Sequence, residues 1–234
     1  AYTLLAYDRP GMGRSLHRPS DAGELEVQAR AAADVIRSSG LQKPVVVAHS
    51  YGGAVALRLA LDHPDLISGL VLLAPASHPW EGGAPLFFEI QAAPIIGEVV
   101  STLIWPFSGA FARTSLAGRV FSPLEPPNGY FKATEVDLAM RPAQVRASAR
   151  DFTALLDELR AQAPRYGEIA LPVSVIAGRE DKIAPIAEKA DPANPAFRNQ
   201  RLVIIEGAGH MPHHASPETV EAEIAWVLQE AAGR

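Results

Sequence analysis

A serine that could act as a nucleophile stands at position 50, within Val45-Val46-Val47-Ala48-His49-Ser50-Tyr51-Gly52-Gly53-Ala54-Val55-Ala56-Leu57. A serine hydroxyl reacts only when a base takes its proton, and the oxyanion it generates needs hydrogen-bond donors. The residues around Ser50 bear on the second need. The three valines before it read as a buried strand, and Ala54, Ala56, Leu57, Leu59 and Ala60 after it read as a helix. Only a sharp turn fits between the two, with Ser50 at its apex. There the hydroxyl points out of the C-terminal edge of a sheet. The backbone N–H of Tyr51 faces the place where negative charge would develop on a substrate carbonyl. Ala48 and Gly52, two residues either side of Ser50, supply the small neighbours that such a turn asks for. A serine after a strand is also a common helix N-cap, and that simpler reading stays open on this stretch alone.

Two other polar side chains occupy comparable places. Leu171 to Ala177 reads as a strand that ends at Gly178-Arg179-Glu180-Asp181, and Arg201 to Glu206 as another that ends at Gly207-Ala208-Gly209-His210. Ligands of open α/β sheets bind just beyond the C-terminal ends of the strands, so Asp181 and His210 fall on the same edge as Ser50. Asp181 reads equally as a turn residue, with Glu180 as the alternative acid, and His210 as a structural loop histidine. His213 and His214 raise a metal site together with His210, but no carboxylate stands at ligand spacing, and no metal is expected.

The elements that must position these residues can be read from periodicity. Tyr2 to Tyr7 reads as a strand that runs into the turn-rich loop Asp8-Arg9-Pro10-Gly11-Met12-Gly13-Arg14-Ser15. Gly11-Met12-Gly13 lacks the third glycine and the opening helix of a dinucleotide loop. Asp21 with Glu24 three residues later has the form of a capping box, and Leu25, Ala29, Ala32 and Ile36 follow at helical spacing up to Gly40. The helix after Ser50 stops near His63-Pro64, and Leu66 to Leu73 is a second continuous apolar run. A last helix opens at Ser216-Pro217 with Val220, Ile224, Val227, Leu228 and Ala231 on its inner face. Continuous apolar strands alternating with helices define an α/β protein, its sheet mostly parallel and covered by helices on both faces.

The alternation breaks between residues 77 and 167, which are rich in proline, glycine and aromatic residues. Residues 1–76 and 168–234 are therefore expected to form the core, and 77–167 an inserted helical lid. Within the insertion, Val145, Ala149, Phe152, Leu156 and Leu159 after Pro142 mark a helix with one buried face. The tract from Pro85 to Ala112 is strongly apolar, but Glu89, Pro94, Glu98 and Pro106 interrupt it, so no membrane span is expected.

Composition narrows the function. With 234 residues, 48% of them apolar and 20% charged, the chain can bury a substantial core. A net charge of −5 without a basic cluster argues against a nucleic-acid partner. There is no cysteine, which excludes disulfides, thiolate metal sites and a cysteine nucleophile. No signal peptide is legible, but in a chain that opens at Ala1 without an initiator Met its absence is not evidence; the compartment is unknown, cytoplasmic only by default, and the oligomeric state is not legible.

Taken together, these stretches resemble the α/β-hydrolase family. The resemblance is carried by the small-x-Ser-x-Gly elbow, with Ala48 in place of the usual first glycine. It is carried also by Gly178-x-x-Asp181, by Gly207-Ala208-Gly209-His210, by the loop Asp8-x-x-Gly11-x-Gly13-x-Ser15, and by the chain order serine, acid, histidine. It implies that His210 is the base for Ser50, that Asp181 orients the imidazole, and that an acyl-enzyme is hydrolysed by water with no cofactor. The serine at the elbow argues against the relatives of this fold that use an aspartate there. A small apolar ester or similar acyl compound is the expected substrate, in contact with His49, Trp80, Trp105 and Phe131. Carbon–carbon bond hydrolases, haloperoxidase-like proteins and acyltransferases share the same three residues. A relative that binds a ligand without turnover is a further alternative. The family also places, before the strand that here begins at Tyr2, a further strand that lies in the sheet between the Tyr2–Tyr7 and Val45–Val47 strands, followed by a His-Gly-type loop that gives the second oxyanion N–H. This sequence contains neither, and is expected to be an N-terminally truncated piece of a longer hydrolase, weakly active or inactive by itself.

Overall fold

The computed structural model describes residues 2–15, 23–111, 115, 117–186 and 200–233. Its sheet has four parallel strands, β1 (Val45–His49), β2 (Gly69–Leu73), β3 (Val173–Gly178) and β4 (Gln200–Ile205), side by side in chain order. Every residue of β2 and β3 is buried, which accounts for the uninterrupted apolar runs in the sequence. Side chains alternate along β2. Leu70 and Leu72 face one core cluster with Ala29, Ala33, Leu57 and Ile67, whereas Val71 and Leu73 face another with Ile176, Val220 and Val227. Each such leucine or valine taken out of water contributes about 1.5–3 kcal/mol.

The first cluster is covered by α1 (Leu25–Ser39) and α2 (Tyr51–Asp62), and the second by the C-terminal helix. In α1 the stripe Leu25, Ala29, Ala32 and Ile36 is buried, as its spacing requires, and Gly40 ends the helix in the left-handed region at φ 74°. Among the described residues, the α-helices between β2 and β3 are α3 (Leu86–Ala92), α4 (Ile96–Phe111), α5 (Ala117–Phe121), α6 (Tyr130–Ala133), α7 (Val136–Ala139) and α8 (Pro142–Gln162). After β4 come α9 (Pro212–Ala215) and α10 (Pro217–Ala232). Pro142 and Pro217 open their helices at the first turn, where the missing N–H is not needed. In α8, Ala149, Leu156 and Leu159 are buried, and Val145 and Phe152 partly so.

Three expectations are corrected. Tyr2 to Tyr7 is not a strand, and Leu4 is 86% exposed. A strand exists only through its ladder, and among the described residues none pairs with this segment or with the outer edge of β1, where Val47 is exposed. Helix α1 starts at Leu25 with Glu24 at the N-cap position, one turn later than a cap at Asp21 implies; Asp21 itself lies outside the described residues. Leu228 is exposed rather than on the inner face of α10.

No single described helix is long and apolar enough to cross a membrane. Helices α3 and α4 pack against α8 on one side and leave Leu86, Phe87, Ile95, Ile96, Leu103 and Phe107 exposed on the other.

Candidate active site

The strand–turn–helix from β1 to α2 holds Ser50 in a conformation that L-residues rarely adopt, φ 51° and ψ −119°. Three backbone hydrogen bonds hold it there. The Ser50 N–H donates to the Leu73 carbonyl (3.0 Å), and the Ser50 carbonyl accepts from the N–H groups of Gly53 (2.8 Å) and Ala76 (2.9 Å). The glycine that packing demands is not the one singled out from the motif. A Cβ on Gly52 would meet Ala48 Cβ at an ordinary 3.8 Å, whereas one on Gly53 would come within 2.5 Å of Pro75 Cβ. Gly53 therefore lets α2 close against the loop after β2.

Asp181 and His210 arrive from the neighbouring strand ends. Gly178, at the end of β3, touches the loop after β4; a side chain there would run into the carbonyl oxygens of Ala208 and Gly209. Two further bonds tie the loops together, from Arg179 N–H to the Ile205 carbonyl (3.0 Å) and from Glu180 N–H to the Ala208 carbonyl (3.0 Å). The Asp181 carboxylate is 2% exposed. Its Oδ1 accepts from the N–H groups of Ile183 (2.8 Å) and Ala184 (3.0 Å), and its Oδ2 accepts from His210 Nδ1 (2.8 Å). With that proton on Nδ1, His210 Nε2 is the acceptor for the Ser50 hydroxyl, at 2.9 Å. Glu180, the alternative acid, is exposed.

This arrangement can move a proton from Ser50 to an imidazole whose other nitrogen is held by a buried carboxylate. Tyr51 is the first residue of α2, so its N–H has no acceptor four residues back within the helix.

His49 sits beside the site as a brace. Its Nε2–H donates to the His210 carbonyl at 2.7 Å, and its ring lies 4.9 Å from that of His210 and 5.0 Å from that of His213. Burial, with a smaller effect from the neighbouring imidazoles, pushes His49 and His213 each down to about 4, so both are neutral near pH 7. Trp80 joins the apolar patch that also takes Tyr51, with Leu25, Val55, Leu155 and Leu159. Trp105 is half exposed on α4. Phe131 packs on Tyr130, whose ring meets His214 at 5.4 Å.

A second polar cluster lies behind Tyr51. The Arg9 guanidinium carbon is 4.4 Å from the centroid of the Tyr51 ring, and Arg9 Nη1 donates to Asp151 Oδ2 (3.2 Å) and Gln28 Oε1 (3.1 Å). Asp151 Oδ1 accepts from Gly23 N–H (3.1 Å), and Gln28 Nε2 donates to the Pro10 carbonyl (3.2 Å). Asp151 stands outside the apolar stripe expected of α8. Its position does carry a signal, because it stands four residues before Leu155 and eight before Leu159, both buried.

The fold is that of an α/β-hydrolase. Residues 1–217 match the family model described as alpha/beta hydrolase fold, and the chain belongs to that family. It is 25% identical over 228 residues to an uncharacterised protein of Mycobacterium tuberculosis, covering 92% of this chain and 64% of that protein, so it spans less than two thirds of that relative's length. It is 27% identical over 232 residues to a non-heme haloperoxidase of Rhodococcus erythropolis, covering 95% of this chain and 81% of that one. The structure of a thermophilic esterase from Thermogutta terrifontis superposes with a TM-score of 0.65 at 23% identity, covering 96% of this chain and 78% of that one.

Proposed function

We propose that this protein is a serine hydrolase that cleaves a carboxylic ester or a similar acyl compound through an acyl-enzyme on Ser50. One observation carries the reading, the unbroken relay from Ser50 Oγ to His210 Nε2 (2.9 Å) and from His210 Nδ1 to Asp181 Oδ2 (2.8 Å). In this reading Ser50 Oγ attacks the acyl carbon while His210 Nε2 takes its proton. His210⁺, stabilised by Asp181, then gives that proton to the leaving alcohol. Water, deprotonated by the same imidazole, attacks the acyl carbon, and the proton returns to Ser50 as the acid leaves. The Tyr51 N–H stabilises the oxyanion in both halves. Helices α3 to α8, within residues 77–167, act as the lid, and its aromatic residues favour an apolar acyl group.

The test is turnover of p-nitrophenyl butyrate. One oxyanion donor is assigned among the described residues, and a missing second donor typically removes about 10²–10³ in rate, so slow turnover is expected. His210→Ala should lower that turnover by a further factor of about 10²–10⁴. Stoichiometric binding of the ester without release of nitrophenolate contradicts the proposal and favours a ligand-binding relative. The haloperoxidase name of the Rhodococcus relative favours a second reading, in which hydrogen peroxide rather than water attacks the acyl group on Ser50, releasing a peracid that oxidises bromide. Halogenation of a phenolic dye by hydrogen peroxide and bromide that requires added acetate and is lost in Ser50→Ala, with little ester hydrolysis, is the result that selects it.

A further inference from the structure

We infer that Arg9 and Asp151 are positioning residues for the oxyanion donor, and that through them helix α8 sets where the Tyr51 N–H points; this rests on the acyl-transfer reading above. The Arg9 cation is held between the face of the Tyr51 ring and the Asp151 carboxylate, with the two charged side chains 22% and 5% exposed. Taking two charges out of water is costly, and such a pair is weak evidence of stabilisation for its own sake. What the pair achieves here is geometric. Tyr51 carries both the ring that Arg9 holds and the N–H that opens α2, so the clamp fixes the side chain of the residue that supplies the donor.

The far end of the clamp is α8. Asp151 holds Arg9 and, through its other oxygen, the N–H of Gly23. Two turns earlier on the same helix, Gln144 Oε1 accepts from Gly13 N–H at 2.7 Å. Helix α8 thus grips the N-terminal chain at Gly13, at Gly23 and at Arg9 between its two carboxylate contacts and its amide. A shift of this helix, which also carries α3 and α4 on its surface, reaches Tyr51 through the Arg9 guanidinium and through the apolar patch that Tyr51 shares with Leu155 and Leu159. The lid is in this way linked to the electrostatics of the reaction as well as to access. A misplacement of about 1 Å at a reacting group can cost about 10²-fold in rate.

Arg9→Met keeps the side chain's length and removes the cation, and Asp151→Asn keeps its shape and removes the charge. Both are assayed with p-nitrophenyl butyrate, with butylboronic acid, which becomes tetrahedral on a serine, and with butyramide, which stays trigonal. The expected result is a kcat lowered about 10–100-fold with KM changed by less than about threefold, and boronate affinity lowered in parallel while butyramide affinity holds. Arg9→Lys, which keeps the charge beside Asp151, recovers part of the loss. Tyr51→Leu, which removes the ring and leaves the ion pair, gives a similar loss, and combining it with Arg9→Met adds little. Variants that melt at lower temperature but keep kcat and boronate affinity overturn the inference, as does equal weakening of boronate and butyramide. Wild-type protein that is neither labelled at Ser50 by a fluorophosphonate nor active on the ester overturns the acyl-transfer reading and this inference with it. Labelled, active wild type with unchanged variants overturns this inference alone.

Discussion

Acid should destabilise this fold through His49. Its imidazole is partly buried against His210 and His213 and is held at about 4, against the 6.5 of an ordinary histidine. Burial is the main cause, and the bond from its Nε2–H to the His210 carbonyl is not made by giving up a proton, so protonation must place a charge in the interior. Below pH 6.5 the unfolded chain takes up a proton at this position that the folded chain does not. Stability present at pH 7 is therefore lost progressively as pH falls from 6.5 towards 4, and the loss levels off below that. A displacement of 2.5 pH units at about 1.4 kcal/mol each gives a full loss of about 3.5 kcal/mol, of which about 3 kcal/mol has gone by pH 4, a large share of a typical domain's stability. His49→Gln retains a donor for the carbonyl and abolishes the titration. Urea unfolding of wild type and variant at pH 7, 6, 5 and 4 should give curves that diverge by about 3 kcal/mol across that range, with the wild type falling further. The variant keeps a residual slope in the same direction from His213, which is also held at about 4. Parallel curves for the two proteins refute the reasoning.

Three other substitutions test how the site is held. Gly53→Ala should cost about 1–3 kcal/mol in thermal or urea unfolding, because the new methyl meets Pro75, and it should slow acylation of Ser50 in the folded fraction. Leu70→Ala, in the fully buried strand β2, should cost about 2–5 kcal/mol in urea unfolding and leave the acylation rate of the folded protein unchanged. Glu223 is buried and accepts from Ser174 Oγ (2.7 Å) and Arg201 Nη2 (3.2 Å), so Glu223→Ala, which strands the Ser174 hydroxyl, should cost about 1–3 kcal/mol by the same measurement.

The legible parts of this protein are those in which one local cause acts. Leu70 to Leu73 and Val173 to Ala177 declare a covered parallel sheet because strands buried on both faces are apolar at every position, whereas Val45 to Val47, equally apolar, form an edge strand with Val47 exposed. Leu25, Ala29, Ala32 and Ile36 declare a helix because one face alone is buried. Ser50, Asp181 and His210 could be singled out because each follows a strand, and the ends of parallel strands share one edge. What was not legible depends on partners distant in sequence. The residues of Tyr2 to Tyr7 suit a strand, but pairing needs a neighbour that the described chain does not offer. Trp80, Trp105 and Phe131 are apolar wherever they point, so residue type could not separate the core contact of Trp80 from the half-exposed place of Trp105. Arg9 meets Asp151 across 142 positions, and no periodicity links them. His49 reads as a packing residue beside Ser50 and as a candidate substrate contact, but its bond to the His210 carbonyl exists only once β1 and the loop after β4 are assembled.

The most direct measurement is the intact mass of the protein after treatment with a fluorophosphonate, followed by peptide mapping. The account requires a single adduct on Ser50, lost in Ser50→Ala and formed far more slowly in His210→Ala, since only a serine beside its base is nucleophilic enough to react at neutral pH. An adduct that persists in Ser50→Ala, or a wild-type protein that stays unmodified, contradicts it.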